Sequence, residues 1–339
     1  MIQNLRIISV IPRNTPATGG NATSASRVAS QLAAFGWAST IVREGEPLPH
    51  ADMVLAWNAI RVGERLLDTG LDPRRIIAVW TGTDLWEGLT QDPRVLTRLK
   101  QVGTHIVFTE SGRERLLELA PHWAGRIQVI APGVEDTMFR PGHAAEHSPV
   151  VLVAGGIRAV KRTHWAIDLV ERVRARGVAL ELWVAGPMRE TEEVQLVTER
   201  AATRPWVRLW GEVERSMMPS LYCQAAVVLN TSAIEGVSNA LMEAMACGSA
   251  VVATRIPGNA ALIKDGETGW LFADADEFDT VISRVVADKA LRQQVGYRAR
   301  RRMVTDHGAL REASMYAHVL GQQMTRLSRP TANSTATVS

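Results

Sequence analysis

Short runs of β-branched and apolar residues recur along this chain, and most are followed by a stretch of helical periodicity. In the first half, residues 5–11, 40–42, 53–56, 76–80, 105–108 and 127–130 read as strands. Helices are expected at 24–35, 60–68, 93–100 and 112–119, with Gly36 as the stop signal of the first. Strands this uniformly apolar belong to a parallel sheet covered by helices on both faces. The rhythm breaks once, at residues 139–149, where Pro141, Pro149, a glycine and polar residues suit a linker. It then restarts, with strands at 150–154, 180–185, 207–210, 226–230, 250–253 and 268–272. Helices at 163–176, 191–202, 217–224, 240–247, 277–287, 291–304 and 310–327 alternate with them or follow them. A length of 339 residues accommodates two such units. The expected fold class is α/β: two tandem Rossmann-like, doubly wound domains facing a central cleft. They would occupy residues 1–142 and 143–309, followed by a helix at 310–327. The Ser/Thr-rich stretch 328–339 is expected to be disordered. Sheets of this kind bind ligands beyond the C-terminal ends of their strands, which places a site in the cleft.

The richest stretch for chemistry is Glu235-Gly-Val-Ser-Asn-Ala-Leu-Met-Glu243, which follows the strand 226–230. Ser238 is a suitable N-cap for the helix that follows, and Glu243 lies about a turn and a half into it. A helix N-terminus between two carboxylates suits a nucleotide sugar, with hydroxyls at each end and phosphates in the middle. On spacing alone, two solvated glutamates are the alternative. Gly155-Gly156, with Arg158, Lys161 and Arg162, follows the first strand of the second domain. Two or three cations there would neutralise a diphosphate. A solvated basic helix start is the alternative, but cations at a helix N-terminus oppose its dipole.

In the first domain Gly19-Gly20 precede the first helix. Their backbone N–H groups can approach a phosphate or a sugar, or the pair can simply make a tight turn. The pattern is not the dinucleotide fingerprint G-x-G-x-x-G, so no nicotinamide site is read. Thr81-Gly-Thr83-Asp84 ends a strand, and Asp84 either meets an acceptor or caps the next segment. Trp80 and Trp86 flank it and are expected to line an acceptor pocket.

A net charge of +3 without a basic and aromatic stripe argues against nucleic acid as a partner. Cys223 and Cys247 make neither a disulfide framework nor a metal spacing, and Cys247 reads as a small core residue. The histidines form no ligand spacing, and His143 and His147 read as solvated linker residues. No metal site is expected. No apolar run reaches membrane-span length and no signal-peptide layout is present, so a cytoplasmic location is expected. Arg298, Arg300, Arg301 and Arg302 read as a solvated face, or as weak contact with an anionic membrane surface.

The stretch from Thr231 through Glu235, Glu243 and Gly248 resembles the Glu-x7-Glu signature of the retaining glycosyltransferases of family 4, which have the GT-B fold. Further motifs resemble that family in order along nearly the whole chain. They are Gly19-Gly20, Val129-Ile-Ala-Pro-Gly133-Val-Glu135 with Phe139, Gly155 to Lys161, Trp210-Gly211, Pro257-Gly258 and Ile263-Lys-Asp-Gly-Glu-Thr-Gly269. The resemblance implies a nucleotide diphosphate sugar, expected to be a UDP-sugar, as co-substrate, with no metal or other cofactor. It implies that Glu235 holds hydroxyls of the donor sugar, Glu243 the ribose hydroxyls and Lys161 the diphosphate. Backbone N–H groups of Ser238, Asn239 and Ala240 would meet the phosphates. Gly19, Gly20 and Gly156 would lie against the donor, and the last helix would cross back onto the first domain. A small-molecule acceptor would sit on the first domain, near Asn21, Arg27, Thr81, Thr83 and Asp84. No residue is nominated as a general base, because the family's mechanism lets the departing phosphate take the acceptor's proton.

Two departures stand out. The family's usual arginine directly after the first glycine is Gly156 here, with Arg158 two residues on, and Thr81 stands where many members carry a histidine. Gly20-Asn21-x-x-Ser24-Ala25-x-Arg27, Thr81-Gly-Thr-Asp84-Leu85, Ile157-Arg158-x-Val160-Lys161 and Arg255-Ile-Pro-Gly-Asn259 resemble the selenosugar synthases of selenoneine biosynthesis. That resemblance implies transfer from a UDP-sugar to selenophosphate. Gly-Val-Ser-Asn after Glu235 is closer to general family members. Rival expectations on the same fold are a nucleotide-sugar epimerase or hydrolase, and a sugar-nucleotide-binding subunit without activity.

Overall fold

The structure, a computed structural model, describes residues 5–92, 94–142 and 149–328. Among the described residues the strands form two six-stranded sheets, and every pairing between named strands is parallel. The first contains β1 (Leu5–Ile11), β2 (Trp37–Arg43), β3 (Met53–Trp57), β4 (Ile76–Val79), β5 (Thr104–Val107) and β6 (Ile127–Val129), in the order β2-β1-β3-β4-β5-β6. The second contains β7 (Val150–Ala154), β8 (Glu181–Ala185), β9 (Val207–Gly211), β10 (Val227–Asn230), β11 (Val251–Thr254) and β12 (Trp270–Phe272), in the order β12-β11-β10-β7-β8-β9. The expectation of two doubly wound α/β domains in tandem holds.

The central strands explain the sequence pattern. Every residue of β3, β4, β5, β10 and β11 is buried, because helices cover both faces of each sheet. Alternate residues of β3 serve opposite cores: Met53, Leu55 and Trp57 face one way, Val54 and Ala56 the other. The helix Gly20–Leu32 covers the first of these faces through Ala25, Val28 and Leu32. The final helix, Ala309–Ser328, joins the same core through Tyr316, Val319 and Leu320, and the Tyr316 ring stacks on Trp57 at 5.9 Å between centroids. Each such side chain, fully buried, contributes on the order of 1.5–3 kcal/mol. In the second domain the helix Asn239–Ala246 packs beneath β10 and β11 through Leu241, Met242 and Met245.

Both sheets reverse their winding beside their first strand, between β1 and β3 and between β7 and β10. Loops leaving such neighbours diverge and open a crevice. The loops after β1, β7 and β10 therefore supply most of the site.

Several elements depart from expectation. Strand β2 begins at Trp37 rather than at 40, since it pairs with β1 from Leu5 onward. It is a sheet edge with Ala38, Thr40 and Ile41 exposed, so an apolar run understates it. Residues 60–68 are a π-helical turn, Ala59–Gly63, followed by a short helix, Glu64–Leu67. Pro257–Leu262 is a short helix where the sequence pattern marks none; proline is tolerated at its first turn. The expected basic face splits. Arg300 donates to the carbonyls of Phe139 and Ala246, and Arg302 to that of Ala261, whereas Arg298 and Arg301 are exposed. Two of the four arginines therefore fasten backbone carbonyls. His143, His147 and the stretch 329–339 lie outside the described residues. Among the described residues, no helix is long and apolar enough to cross a membrane.

Candidate active site

A cavity of about 530 Å³ lies between the two domains. Gly19, Gly20, Asn21, Thr81 and Thr83 line it from the first domain. Gly156, Arg158, Lys161, Glu235, Ser238, Asn239, Ala240 and Glu243 line it from the second. Five cations (Arg61, Arg158, Lys161, Arg189 and Arg215) and three carboxylates (Glu212, Glu235 and Glu243) share its described wall, so positive charge is in excess. The N-termini of the helices Gly20–Leu32 and Asn239–Ala246 also end there, which adds to the preference for an anion.

Adjacent strands bring Glu235 and Lys161 together. Lys161 ends a 3₁₀ turn, Ala159–Lys161, after β7, and Glu235 follows β10, which pairs with β7. Lys161 Nζ donates to Glu235 Oε1. The same oxygen accepts from Ser232 Oγ at 2.8 Å and Asn230 Nδ2 at 3.2 Å. Asn230 is itself fixed, since its Oδ1 accepts from Ser232 N at 3.0 Å and from the buried Asn259 Nδ2 at 3.2 Å. Burial raises the Glu235 carboxyl pKa, but the Lys161 charge and these hydrogen bonds more than offset it and leave it below its ordinary value. Glu235 is therefore held ionised. Arg162 does not join the cations of the cavity wall. It adopts a left-handed backbone, with φ of 48°, and donates to the carbonyls of Thr231 at 2.8 Å and Ser232 at 3.3 Å.

Glu243 has a different environment. Ser238 caps its helix, accepting from Leu241 N at 3.4 Å. Tyr222 OH donates to Glu243 Oε2 at 3.0 Å, and Arg215 Nη2 lies 3.6 Å from Oε1. Arg215 also pairs with Glu135 and packs its guanidinium over the Phe139 ring at 4.9 Å. Burial dominates at Glu243: the Arg215 charge and the Tyr222 hydroxyl oppose it only in part, and the carboxyl sits above its ordinary value. Burial, with the Glu243 charge beside it, pushes the Tyr222 hydroxyl far up, so it stays protonated and donates.

Sequence reading missed Arg215 and Tyr222, which stand at no recognisable spacing from Glu243. It also missed Arg189, whose Cγ would lie 3.1 Å from a β-carbon at Gly156. The absent side chain at 156 leaves room for Arg189 along the cavity wall.

Four residues expected to face an acceptor, Asp84, Arg27, Trp80 and Trp86, lie off the cavity wall. Asp84 does not line the cavity. It is buried, and its carboxylate accepts from the backbone N–H groups of Ala59, Thr81, Gly82 and Leu85 at 2.8–3.1 Å. Burial pushes this carboxyl up to about 6, against the four backbone bonds, which favour its ionised form. Arg27 is also off the cavity wall. It forms a buried two-pronged ion pair with Glu312 of the last helix, at 2.7 and 3.1 Å, and reaches Asn239 Oδ1 at 3.4 Å. Trp80 is buried, with its indole N–H directed at His105 Nδ1 at 3.4 Å, and Trp86 packs against the same core, so neither lines the pocket. Thr81 and Thr83 remain on the wall, in a loop whose backbone the Asp84 carboxylate fastens at Thr81 N and Gly82 N.

Residues 148–288 match the model of a family described as "Glycosyl transferases group 1". This stretch holds Arg158, Lys161, Arg215, Glu235 and Glu243. Among curated proteins the chain resembles glycosyltransferase 1 domain-containing protein 1 of Xenopus tropicalis, with 25% identity over 70% of this chain and 74% of that protein. It also resembles D-inositol 3-phosphate glycosyltransferase 2 of Catenulispora acidiphila, with 29% identity over 51% of this chain. There it spans about half of the relative's own length, 45%. In three dimensions it is similar to Anabaena Alr3699/HepE, solved in complex with UDP and glucose, at a TM-score of 0.77 and 16% identity, over 94% of this chain and all of the other. Sucrose-phosphate synthase of Thermosynechococcus elongatus is similar at 0.77 and 18% identity, over 95% of this chain and 100% of that one. The chain has the GT-B fold, and its residues 148–288 are similar to the glycosyl transferases group 1.

Proposed function

We propose that this protein is a retaining, metal-independent glycosyltransferase that moves a sugar from a UDP-sugar to an acceptor on its first domain. One observation carries the reading: Glu235 and Glu243, in different electrostatic environments, flank one helix N-terminus in a cation-rich interdomain cavity. That order suits the sugar, diphosphate and ribose of a nucleotide sugar. The similarity to a protein solved with UDP and glucose, and with UDP-glucose, supports uridine as the nucleoside. Among the described residues no three His, Cys, Asp or Glu side chains cluster as a metal site would require.

In this mechanism Glu243 accepts the ribose hydroxyls and Glu235 accepts hydroxyls of the transferred sugar. As the bond to the anomeric carbon breaks, charge builds on the β-phosphate. Lys161, Arg158, Arg189 and the backbone N–H groups at Ser238–Ala240 stabilise it, and one such preorganised donor is worth about 2.7–4 kcal/mol. The acceptor attacks from the face that the phosphate leaves, and the phosphate takes its proton. Asn21, Thr81 and Thr83 offer the polar groups that orient the acceptor.

A thermal-shift panel of nucleotide sugars tests the donor, followed by transfer assays with selenophosphate and alcohol acceptors in the presence of a chelator. The expected result is stabilisation by a UDP-sugar and a product that keeps the donor's anomeric configuration by NMR. Absence of stabilisation by every nucleotide sugar overturns the reading. Epimer or free sugar formed without acceptor replaces it with an epimerase or hydrolase.

A further inference from the structure

We propose that Gly236 is a positioning residue. Its missing side chain lets the acceptor loop Thr81–Gly82 seat directly on the donor loop, and so sets how closely the cleft shuts over Glu235.

A β-carbon at Gly236 would lie 2.5 Å from the Thr81 carbonyl oxygen, 2.9 Å from the Thr81 carbonyl carbon and 3.1 Å from Gly82 Cα. These three nearest atoms all belong to the opposite domain. Gly236 is not among the residues with positive φ, so its own backbone accommodates an L side chain. Nothing within its domain demands glycine as strongly as the facing domain does. From the other side, Gly82 has φ of +124°, and a β-carbon there would lie 2.3 Å from Gly236 N.

Neither loop can easily yield. Behind the donor loop, a β-carbon at Gly258 would lie 2.4 Å from the Glu235 carbonyl oxygen and 2.6 Å from that of Gly236, so the helix Pro257–Leu262 already backs it. The acceptor loop is pinned by the Asp84 carboxylate, which gathers Thr81 N and Gly82 N. The next residues of the donor loop hold the same junction. Val237 packs against the first-domain core that contains Ile11 and Phe108, and Asn239 Nδ2 donates to Gly20 O and Ser24 Oγ, each at 3.4 Å. Glu235 is thus adjacent in sequence to a backbone-on-backbone contact between the two domains. An added methyl needs about 1 Å more separation to reach ordinary van der Waals distance. Misplacement of that size can cost on the order of a hundredfold in rate.

The catalytic consequence rests on the transferase reading; the spacing of the domains does not. The test compares wild type, Gly236→Ala and Gly82→Ala; the second presses on the same contact from the other domain but also strains its own backbone at φ of +124°, so Gly236→Ala decides the steric contact. Distances between spin labels placed one on each domain are expected to lengthen in both variants, with and without UDP. UDP affinity by calorimetry is expected to stay within about twofold, and kcat to fall at least about tenfold. Thermal unfolding verifies that each variant is folded. Wild-type spacing or wild-type kcat in the variants overturns the inference. So does a loss of UDP affinity in Gly236→Ala as large as the loss of kcat, since the glycine would then serve the donor pocket alone. If wild type binds no UDP, the donor reading falls, while the label distances still decide the contact.

Discussion

Tyr222 donates its hydroxyl proton to Glu243 Oε2 at 3.0 Å, from a helix that precedes the Glu243 helix by a strand and a loop. Arg215 approaches the other oxygen at 3.6 Å. Burial pushes the carboxyl above its ordinary value, and these two neighbours hold it back. A carboxylate that accepts ribose hydroxyls must be ionised, so UDP affinity should weaken as pH falls, at a higher pH than an ordinary glutamate would set. Tyr222→Phe and Arg215→Ala should each move that midpoint further up, with a loss of about tenfold or more in affinity at neutral pH. Calorimetric titration of UDP across the acidic and neutral range checks the direction.

On the proposed reading, Lys161→Ala should lower kcat at least about tenfold, because a cation that would face the leaving phosphate is lost. It also leaves the buried Glu235 carboxylate without its charge partner, a change that costs on the order of 3–5 kcal/mol in buried pairs. The double variant Lys161→Ala with Glu235→Gln should regain much of the melting temperature and none of the activity. Recovery of stability without turnover separates the two roles of Lys161.

Arg27 and Glu312 form a buried ion pair between the first and last helices. The Glu312 charge holds the Arg27 guanidinium above its ordinary value in spite of the burial that lowers it. Arg27→Met should cost on the order of 3–5 kcal/mol by stranding Glu312, and Arg27→Met with Glu312→Leu should restore most of it. Denaturant unfolding measures both. An acceptor ligand would instead show a raised acceptor KM in the folded double variant, and none is expected.

Asp84 has a raised carboxyl, about 6 against an ordinary 3.8, because it is buried. Between those values the folded state holds the proton that the unfolded state has released. Its contribution to stability is therefore fully present below about pH 4 and declines as pH rises to about 6. Asp84→Asn should remove that slope. It should also lower the melting temperature near neutral pH, since an amide cannot accept all four backbone bonds and a stranded N–H costs about 1–3 kcal/mol. Unfolding followed across this pH range, wild type against variant, is the measurement.

What was legible in the sequence was what lies close together along the chain. The strand rhythm is visible because both faces of β3, β4, β10 and β11 are buried and their positions are apolar except Asn230 and Thr254 at the strand ends. β2 was underestimated because an edge strand has no such demand. Glu235, Ser238 and Glu243 were legible because one strand, one loop and one helix carry them to the cleft together.

The sequence by itself determined two doubly wound domains and a helix start capped by Ser238 between Glu235 and Glu243, since hydrophobic period and capping act over a few residues. Only the tertiary structure decided the partners. Arg27 meets Glu312 across 285 positions, Lys161 meets Glu235 across 74, and Thr81 and Gly236 touch only because the domains face each other. Charge pairing and steric contact depend on distance in space, and for Arg27 and Asp84 that distance turned expected acceptor ligands into supports of the fold. For Glu235 and Glu243, the same geometry gave two like carboxylates opposite shifts in acidity.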